Sequence, residues 1–478
     1  MRYLARRRLL PATVLTAVLT LAGCANYSGI VPEVRQLDTA ALDGGAHFDA
    51  WPEEGWWHRL NDPQLAALID AALADNPGIQ AASARVRRAE ALAGNAESAL
   101  WPNLGVSTSN TRERFSEHGM IPPPYAGTTR SINELQLLGQ WEIDFFGKNR
   151  AALRAALGEA AAAAADRQAA RHLLAANIAR AYLNLARLIA QRDLAGERQR
   201  QRSELAELVQ RCFAVGIDTR ITLETATGAL PENARDIAAF DEQIGSARHL
   251  LAALAGKTPD AIDSLNPALP ADIAIELPET LPAGLLAHRA DVTAARRRVE
   301  AALNSADATK AMFYPNVNLR GFAGFSAIGF DQWLETGNRQ QGIGLALSLP
   351  IFDAGRLRSL YRVSTANLDE AVAAYNGALL EALRDVADPL TTLAALDRQI
   401  AHQQATLQSA ERSFRLAEQR YRADIADRLS VLNAEAGLIN QRRAAIDLQA
   451  RRLDTRIRLI HALGGGFSDT PATTLARQ

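Results

Sequence analysis

The chain has 478 residues, a length that allows roughly two to four domains. Hydrophobic residues make up 48% but aromatics only 6%, and much of the apolar share is alanine, which favours long helices over a thick globular core. The formal net charge is −1 and the arginines are interleaved with acids, so the chain lacks the basic footprint of a nucleic-acid binder.

Residues 1–23 read as a targeting segment. Arg6, Arg7 and Arg8 form a positive start, and Leu9 to Leu21 an apolar run too short for a stable membrane span, where about 20 residues are needed. The string LAGC (Leu21 to Cys24) resembles a bacterial lipobox. That resemblance implies cleavage before Cys24, a diacylglycerol on its thiol and an N-acyl chain, palmitate for example, on the new amino terminus. No other cofactor is expected. Ala25 stands where an Asp would signal inner-membrane retention, which favours the outer membrane. The alternative is an ordinary secretory signal that happens to hold a cysteine. A lipidated Cys24 leaves Cys212 without a partner; within a helical pattern it reads as a small buried hydrophobe.

Residues 24–61, with Pro32, Gly44, Gly45 and Pro52, read as an extended tether. Asp62-Pro63 starts a helix, Asp62 as cap and Pro63 in the first turn, and Asn76-Pro77 starts another that runs to about Leu100. Trp101-Pro102 ends it. The period then changes to two, predicting strands at about 103–111 and 131–144 around a loop rich in proline and glycine. Helices follow at about 148–213 and 220–254, with Gly216 as the breaker between them. Pro231 is expected to kink or interrupt the second. These elements make a first structural repeat, 62–256. A Pro-rich connector covers 257–282.

The plan then begins again. A second repeat, 283–463, has a helix from Asp291 to Met312, strands at about 316–328 and 341–351, and helices at about 354–422 and 428–463. Residues 464–478 form a polar tail. Leu379, Leu383, Val386, Leu390, Leu393, Leu396 and Ile400 keep one apolar seam along the longest helix. At 1.5 Å per residue that helix is about 100 Å long, so something long has to be spanned. Tandem order is the main architectural signal. Pro102 matches Pro315, Arg211 matches Arg420, and Leu223 matches Leu432.

Each strand is long enough to cross a bilayer when tilted. Four strands cannot close a barrel, and an open edge in lipid leaves backbone groups unsatisfied. Two copies give eight strands, with an interior filled by side chains, and three give twelve, with room for a water-filled lumen; strand count does not choose between them. The alternative is a soluble sheet capping a helical bundle.

Several strings, in order and spacing, resemble the TolC-like outer membrane factor family, in its lipoprotein branch serving multidrug efflux. They are LAGC (21–24), WWHRLNDPQL (56–65), FFGKNR (145–150), RCFAVGIDTRITLETA (211–226), LPAGLLAHRADV (281–292), FYPNV (313–317), LSLPIFDAGR (347–356) and RYRADIADRLSVLNAE (420–435). The resemblance implies a mainly α protein with a membrane β part. It implies a homotrimer in which a twelve-stranded barrel in outer membrane lipid continues into a helical periplasmic barrel. The implied partners are a periplasmic adaptor of the membrane fusion protein type and an inner-membrane RND-type transporter. The implied activity is passive conduction of drugs or other small molecules. A type I protein secretion duct and a non-conducting coiled-coil envelope lipoprotein are the rivals.

The two helix–helix turns are the candidate sites. Gly216, Asp218, Asp424, Asp427 and Arg428 lie in or beside them. Three copies would set rings of Asp218, Asp424 and Asp427 near the periplasmic mouth, a common way to constrict a pore and favour cations. Family members carry a pore-constricting acid near the second tip. Here the usual glycine of that turn is replaced, with Asp424 nearby, and the acid is shifted by about one position. Asp427 also suits a helix cap. Arg211 and Arg420, just before the tips, are candidates for bracing or for adaptor contact. No catalytic or metal-binding pattern is present: Leu251 stands where a phosphate loop needs glycine, Gly324-Phe325-Ser326 lacks the nucleophile elbow, and the eight histidines show no zinc spacing. The chain does not read as an enzyme.

Overall fold

A computed structural model describes residues 26–38, 50–273, 275–280 and 284–467. Cys24, the targeting segment and the tail beyond Phe467 lie outside the described residues. In order, the helices and strands are α1 (Pro63–Asp75), α2 (Pro77–Ser98), β1 (Asn103–Arg114), β2 (Thr129–Ile143), α3 (Lys148–Ala214), α4 (Arg220–Leu254), α5 (Ala290–Ala311), β3 (Asn316–Ile328), β4 (Arg339–Ser348), α6 (Arg356–Arg422) and α7 (Arg428–Ala462). The halves match in length: α2 and α5 have 22 residues each, α3 and α6 have 67, and α4 and α7 have 35. Both α4, through Pro231, and α6, through Pro389, run on as single helices, so Pro231 interrupts nothing. No described helix is long and apolar enough to cross a membrane.

The chain forms two units. The first holds residues up to 36, 85–163 and 295–375. Its centre is a four-stranded antiparallel sheet in the order β1-β2-β3-β4. Register puts Leu104, Val106, Leu135, Leu137, Trp141, Leu319, Phe325, Leu345 and Leu347 on one face. Gly105, Ser107, Ser109, Gln136, Gln140, Asn318, Ser326 and Gln340 lie on the other. The apolar face is bare: Val106, Ile343, Leu345 and Leu347 are each more than two-thirds exposed. From Leu135 to Ile143 the apolar run covers about 26 Å of strand. The outer edges of β1 and β4 pair with no other described strand.

Strand-to-helix junctions in this unit are fixed by side-chain caps. Asp144 accepts hydrogen bonds from the backbone N–H groups of Asn149 and Arg150, starting α3 after the left-handed Gly147. Burial raises the Asp144 pKa, but these bonds and the Arg150 charge outweigh it and hold the carboxyl below its ordinary value. Asp353 does the same for α6, accepting from Gly355 and Leu357. Trp141 Nε1 donates to the Leu100 carbonyl at 2.9 Å. Gly158 lets α3 meet α5 closely, since a Cβ there would lie 3.0 Å from that of Ala301. The N-terminal segment lies along α6: Arg358 donates to the carbonyls of Asn26 and Ser28, and Asp369 accepts from the N–H groups of Glu33 and Val34.

The second unit holds residues 37–84, 164–294 and 376 onward. Trp56, Ile69, Ile178, Leu185, Leu251 and Ile457 anchor its core. Asp62 caps α1 through one oxygen and accepts the Tyr182 hydroxyl on the other at 2.7 Å. The end of α7 is locked in two ways. Arg289, 4% exposed, donates to the Ala462 carbonyl and to Asp291 and Asp385. Gly464, Gly465 and Gly466 all take positive φ and press against neighbours: a Cβ on Gly464 would lie 1.8 Å from the His288 carbonyl oxygen, and one on Gly465 would lie 3.0 Å from the His172 ring.

Candidate functional site: the helix–helix turns and the two-faced sheet

The turns between α3 and α4 and between α6 and α7 share one hydrogen-bond pattern. In the first, Ile217 and Asp218 both donate backbone N–H to the Cys212 carbonyl; in the second, Ile425 and Ala426 donate to Arg420. This matches Arg420 with Cys212, not with Arg211, and Leu223 with Val431, not with Leu432. The sequence match slips by one because chain chemistry differs where backbone geometry agrees. Gly216 (φ 78°) and Asp424 (φ 54°) occupy the same left-handed position. Asp is among the few non-glycine residues that enter that region at modest cost, so the turn survives the loss of its glycine.

Thr219 and Asp427 are then equivalent, and each caps the helix that follows. Thr219 Oγ1 accepts from the Thr222 N–H, and Asp427 accepts from the Ser430 N–H at 2.8 Å and its hydroxyl at 2.6 Å. Those bonds lower the Asp427 pKa. Asp218 accepts from the Thr219 N–H at 2.8 Å. Asp424, Arg211 and Arg420 are exposed. Within the chain Asp218 belongs to the first turn, and Asp424 and Asp427 to the second.

Arg428 is different. Its Nε and Nη2 donate to both oxygens of Glu204 on α3, at 2.6 and 2.7 Å, and its guanidinium lies 5.8 Å from the Tyr421 ring centroid. The bidentate contact lowers the Glu204 pKa and raises that of Arg428. Arg220, the equivalent in the first turn, pairs among the described residues with Glu224, one helical turn away. Glu204 is the residue that sequence reading missed. It lies 224 positions from Arg428, in a helix dense with charged residues that all look alike.

This pair ends a ladder. Going away from the turn, Gln201 donates to the Leu432 carbonyl, Gln191 to the Arg443 carbonyl, Arg187 to Asp447 and Arg180 to Asp454. Each step back along α3 is matched by a step forward along α7, so the two helices run antiparallel in register. Around the turns Val215, Ile217, Ile221 and Ile425 are each at least two-thirds exposed.

The sheet and turns have counterparts in known proteins. A model of the outer membrane efflux protein family matches residues 68–257 and 281–465, most of the chain, in two blocks. The chain belongs to the outer membrane efflux protein family. It is 37% identical to the fusaric acid resistance protein FusA of Burkholderia cepacia over 369 residues, 75% of this chain and 70% of that one. It is 32% identical to the multidrug resistance outer membrane protein MdtQ of Escherichia coli O157:H7 over 471 residues, covering 94% and 96%. Among solved structures it resembles the outer membrane protein VceC of Vibrio cholerae, at 37% identity and TM-score 0.79, over 87% of this chain and all of that one. The Campylobacter jejuni CmeC outer membrane channel shares the fold at TM-score 0.81 and 22% identity, over 92% and 96%. The protein is an outer membrane efflux channel, in a family of channels rather than enzymes.

Proposed function

We propose that this efflux protein is the passive outer-membrane duct of a tripartite pump, a homotrimer that carries drugs or other small molecules and catalyses no reaction. One observation carries the reading: a two-faced sheet with an apolar band of bilayer height and two unpaired edges. Such edges cannot stay open in lipid, and closure needs further copies. Three copies supply twelve strands and a water-filled lumen. Exposed Trp101, Phe145 and Phe352 flank the strand ends, where an aromatic girdle would meet headgroups. Relatives named for drug and fusaric acid resistance favour small-molecule cargo over secreted protein.

Partners follow from the turns. Their exposed Val215, Ile217, Ile221 and Ile425 suit a periplasmic adaptor, which would link the duct to an inner-membrane transporter of the RND type. In the trimer Asp218, Asp424 and Asp427 would ring the periplasmic mouth, with Arg211 and Arg420 available to the adaptor. The Arg428–Glu204 pair would hold the second turn against α3 until the adaptor docks. Lipid attachment at Cys24 fits the held course of Asn26–Ser28 along α6.

The test is a cysteine scan of β1 against β4 in a Cys212→Ser background. One register should give disulfide-linked trimers in outer membranes, and those trimers should conduct in planar bilayers. A monomer that forms no cross-link and no pore would sink the reading.

A further inference from the structure

The polar face of the sheet is interrupted at one mid-strand row. Across the four strands that row reads Gly105, Leu138, Phe322, Gly342. Leu138 and Phe322 are direct cross-strand partners, 43% and 40% exposed. Every other row of this face is polar, glycine or alanine, save Ile132 opposite Ile328 at the loop margin. The aromatic ring lies over Gly342, where a Cβ would come within 2.6 Å of it. Glycines on both sides leave the pair as a low apolar ledge, open to the space in front of the sheet.

One row away, about 7 Å along the strand, Arg320 shares this face. It is exposed and forms no hydrogen bond or ion pair among the described residues, and its neighbour Gly344 has open space where a side chain would be. Two acids of this face are engaged elsewhere: Glu142, one row from Arg320, pairs with Lys148 at 2.5 Å, and Glu134, farther along β2, accepts the Ser109 hydroxyl. A free guanidinium beside an apolar ledge presents a cation and a ring face to one molecule. An aromatic or alkyl body would lose water against Leu138 and Phe322 while its acid group met Arg320.

We propose that this row is a transit site for amphipathic organic anions, three copies lining the barrel wall. The assignment rests on the duct reading, which puts the polar face toward the lumen. The site slows and selects such cargo on its way out; small hydrophilic ions pass it without contact.

The experiment uses the full-length lipidated trimer in planar bilayers with 2-naphthoate as probe. Wild-type pores should show concentration-dependent block by 2-naphthoate and none by acetate. Arg320→Gln should raise the half-blocking concentration about tenfold. Phe322→Ser and Leu138→Ser should each raise it about fivefold while open-pore conductance persists. Arg320→Glu should transfer the block to 2-naphthylmethylamine, a gain that misfolding cannot mimic. Equal block in wild type and Arg320→Gln, or conducting wild-type pores without block, would overturn the site and leave the duct standing. Wild-type trimers that never conduct would overturn both.

Discussion

Arg428 and Glu204 illustrate how a single contact gives a turn its hold. Both side chains are partly solvent-exposed, so the pair is worth no more than about 1 kcal/mol despite its bidentate geometry. So small a contribution is compatible with the opening proposed for this turn. The folded-state pKa of Glu204 is depressed, so its stabilisation is present above the ordinary carboxylate value of about 4.3 and is lost as pH falls through the lowered value. Glu204→Gln should leave assembly intact and speed backbone hydrogen exchange around Ser430 to Leu432 at neutral pH. The wild type should show that speeding only below about pH 4. His172 carries the opposite charge logic with the same sign in pH. Burial first, then His461 and Arg171, lower its pKa to about 4. The unfolded chain binds its proton near 6.5, so stability drains as pH falls from about 6.5 to about 4, by up to about 3 kcal/mol. His461 is lowered too. Thermal melts of His172→Gln should lose a substantial part of this slope and keep the share from His461.

At the scale of elements, three devices recur. Left-handed residues end the long helices, side-chain caps restart the chain, and glycines allow close approach. The end of α7 shows the last most sharply. Gly464 has φ of 96° and no room for a Cβ beside the His288 carbonyl. Gly464→Ala should cost more than about 2 kcal/mol, seen as a lowered melting temperature and poor trimer yield. Asp424 predicts the reverse. Asp424 is exposed and its φ is 54°, so Asp424→Gly should stabilise the second turn by up to about 1 kcal/mol, measurable as slower local exchange. Failure of that gain would mean that the Asp424 side chain makes a favourable contact that glycine cannot replace.

At the scale of the whole molecule, the sheet decides the environment. In the proposed duct a charge on its apolar face at mid-membrane costs about 2–4 kcal/mol, whereas the opposite face would meet water. Leu345→Arg should therefore block insertion and trimer recovery from outer membranes, while Ser107→Arg, on the opposite face, should assemble and change only conductance. Equal tolerance of both would remove the sheet from the membrane. The paired 22-, 67- and 35-residue helices show that the second half repeats the plan of the first, yet the two turns differ in their side-chain contacts. Arg220 keeps a local partner while Arg428 reaches across to α3.

Periodicity and breakers alone carried the order of the elements. A switch from 3.6 to 2 at Trp101-Pro102, and back after Gly147, is a local property of side chains, and local forces place helices and strands within a few residues. Asp427 as a cap was legible for the same reason. The tandem plan was legible too, but its register near the turns was not, since Cys212 and Arg420 share a backbone role and no chemistry. Contacts between distant segments needed tertiary structure: Glu204 with Arg428, the ladder between α3 and α7, and the row that sets Phe322 beside Leu138. Register and helix pairing depend on which surfaces meet, and a one-residue slip in either would exchange every partner while leaving the pattern of the chain unchanged.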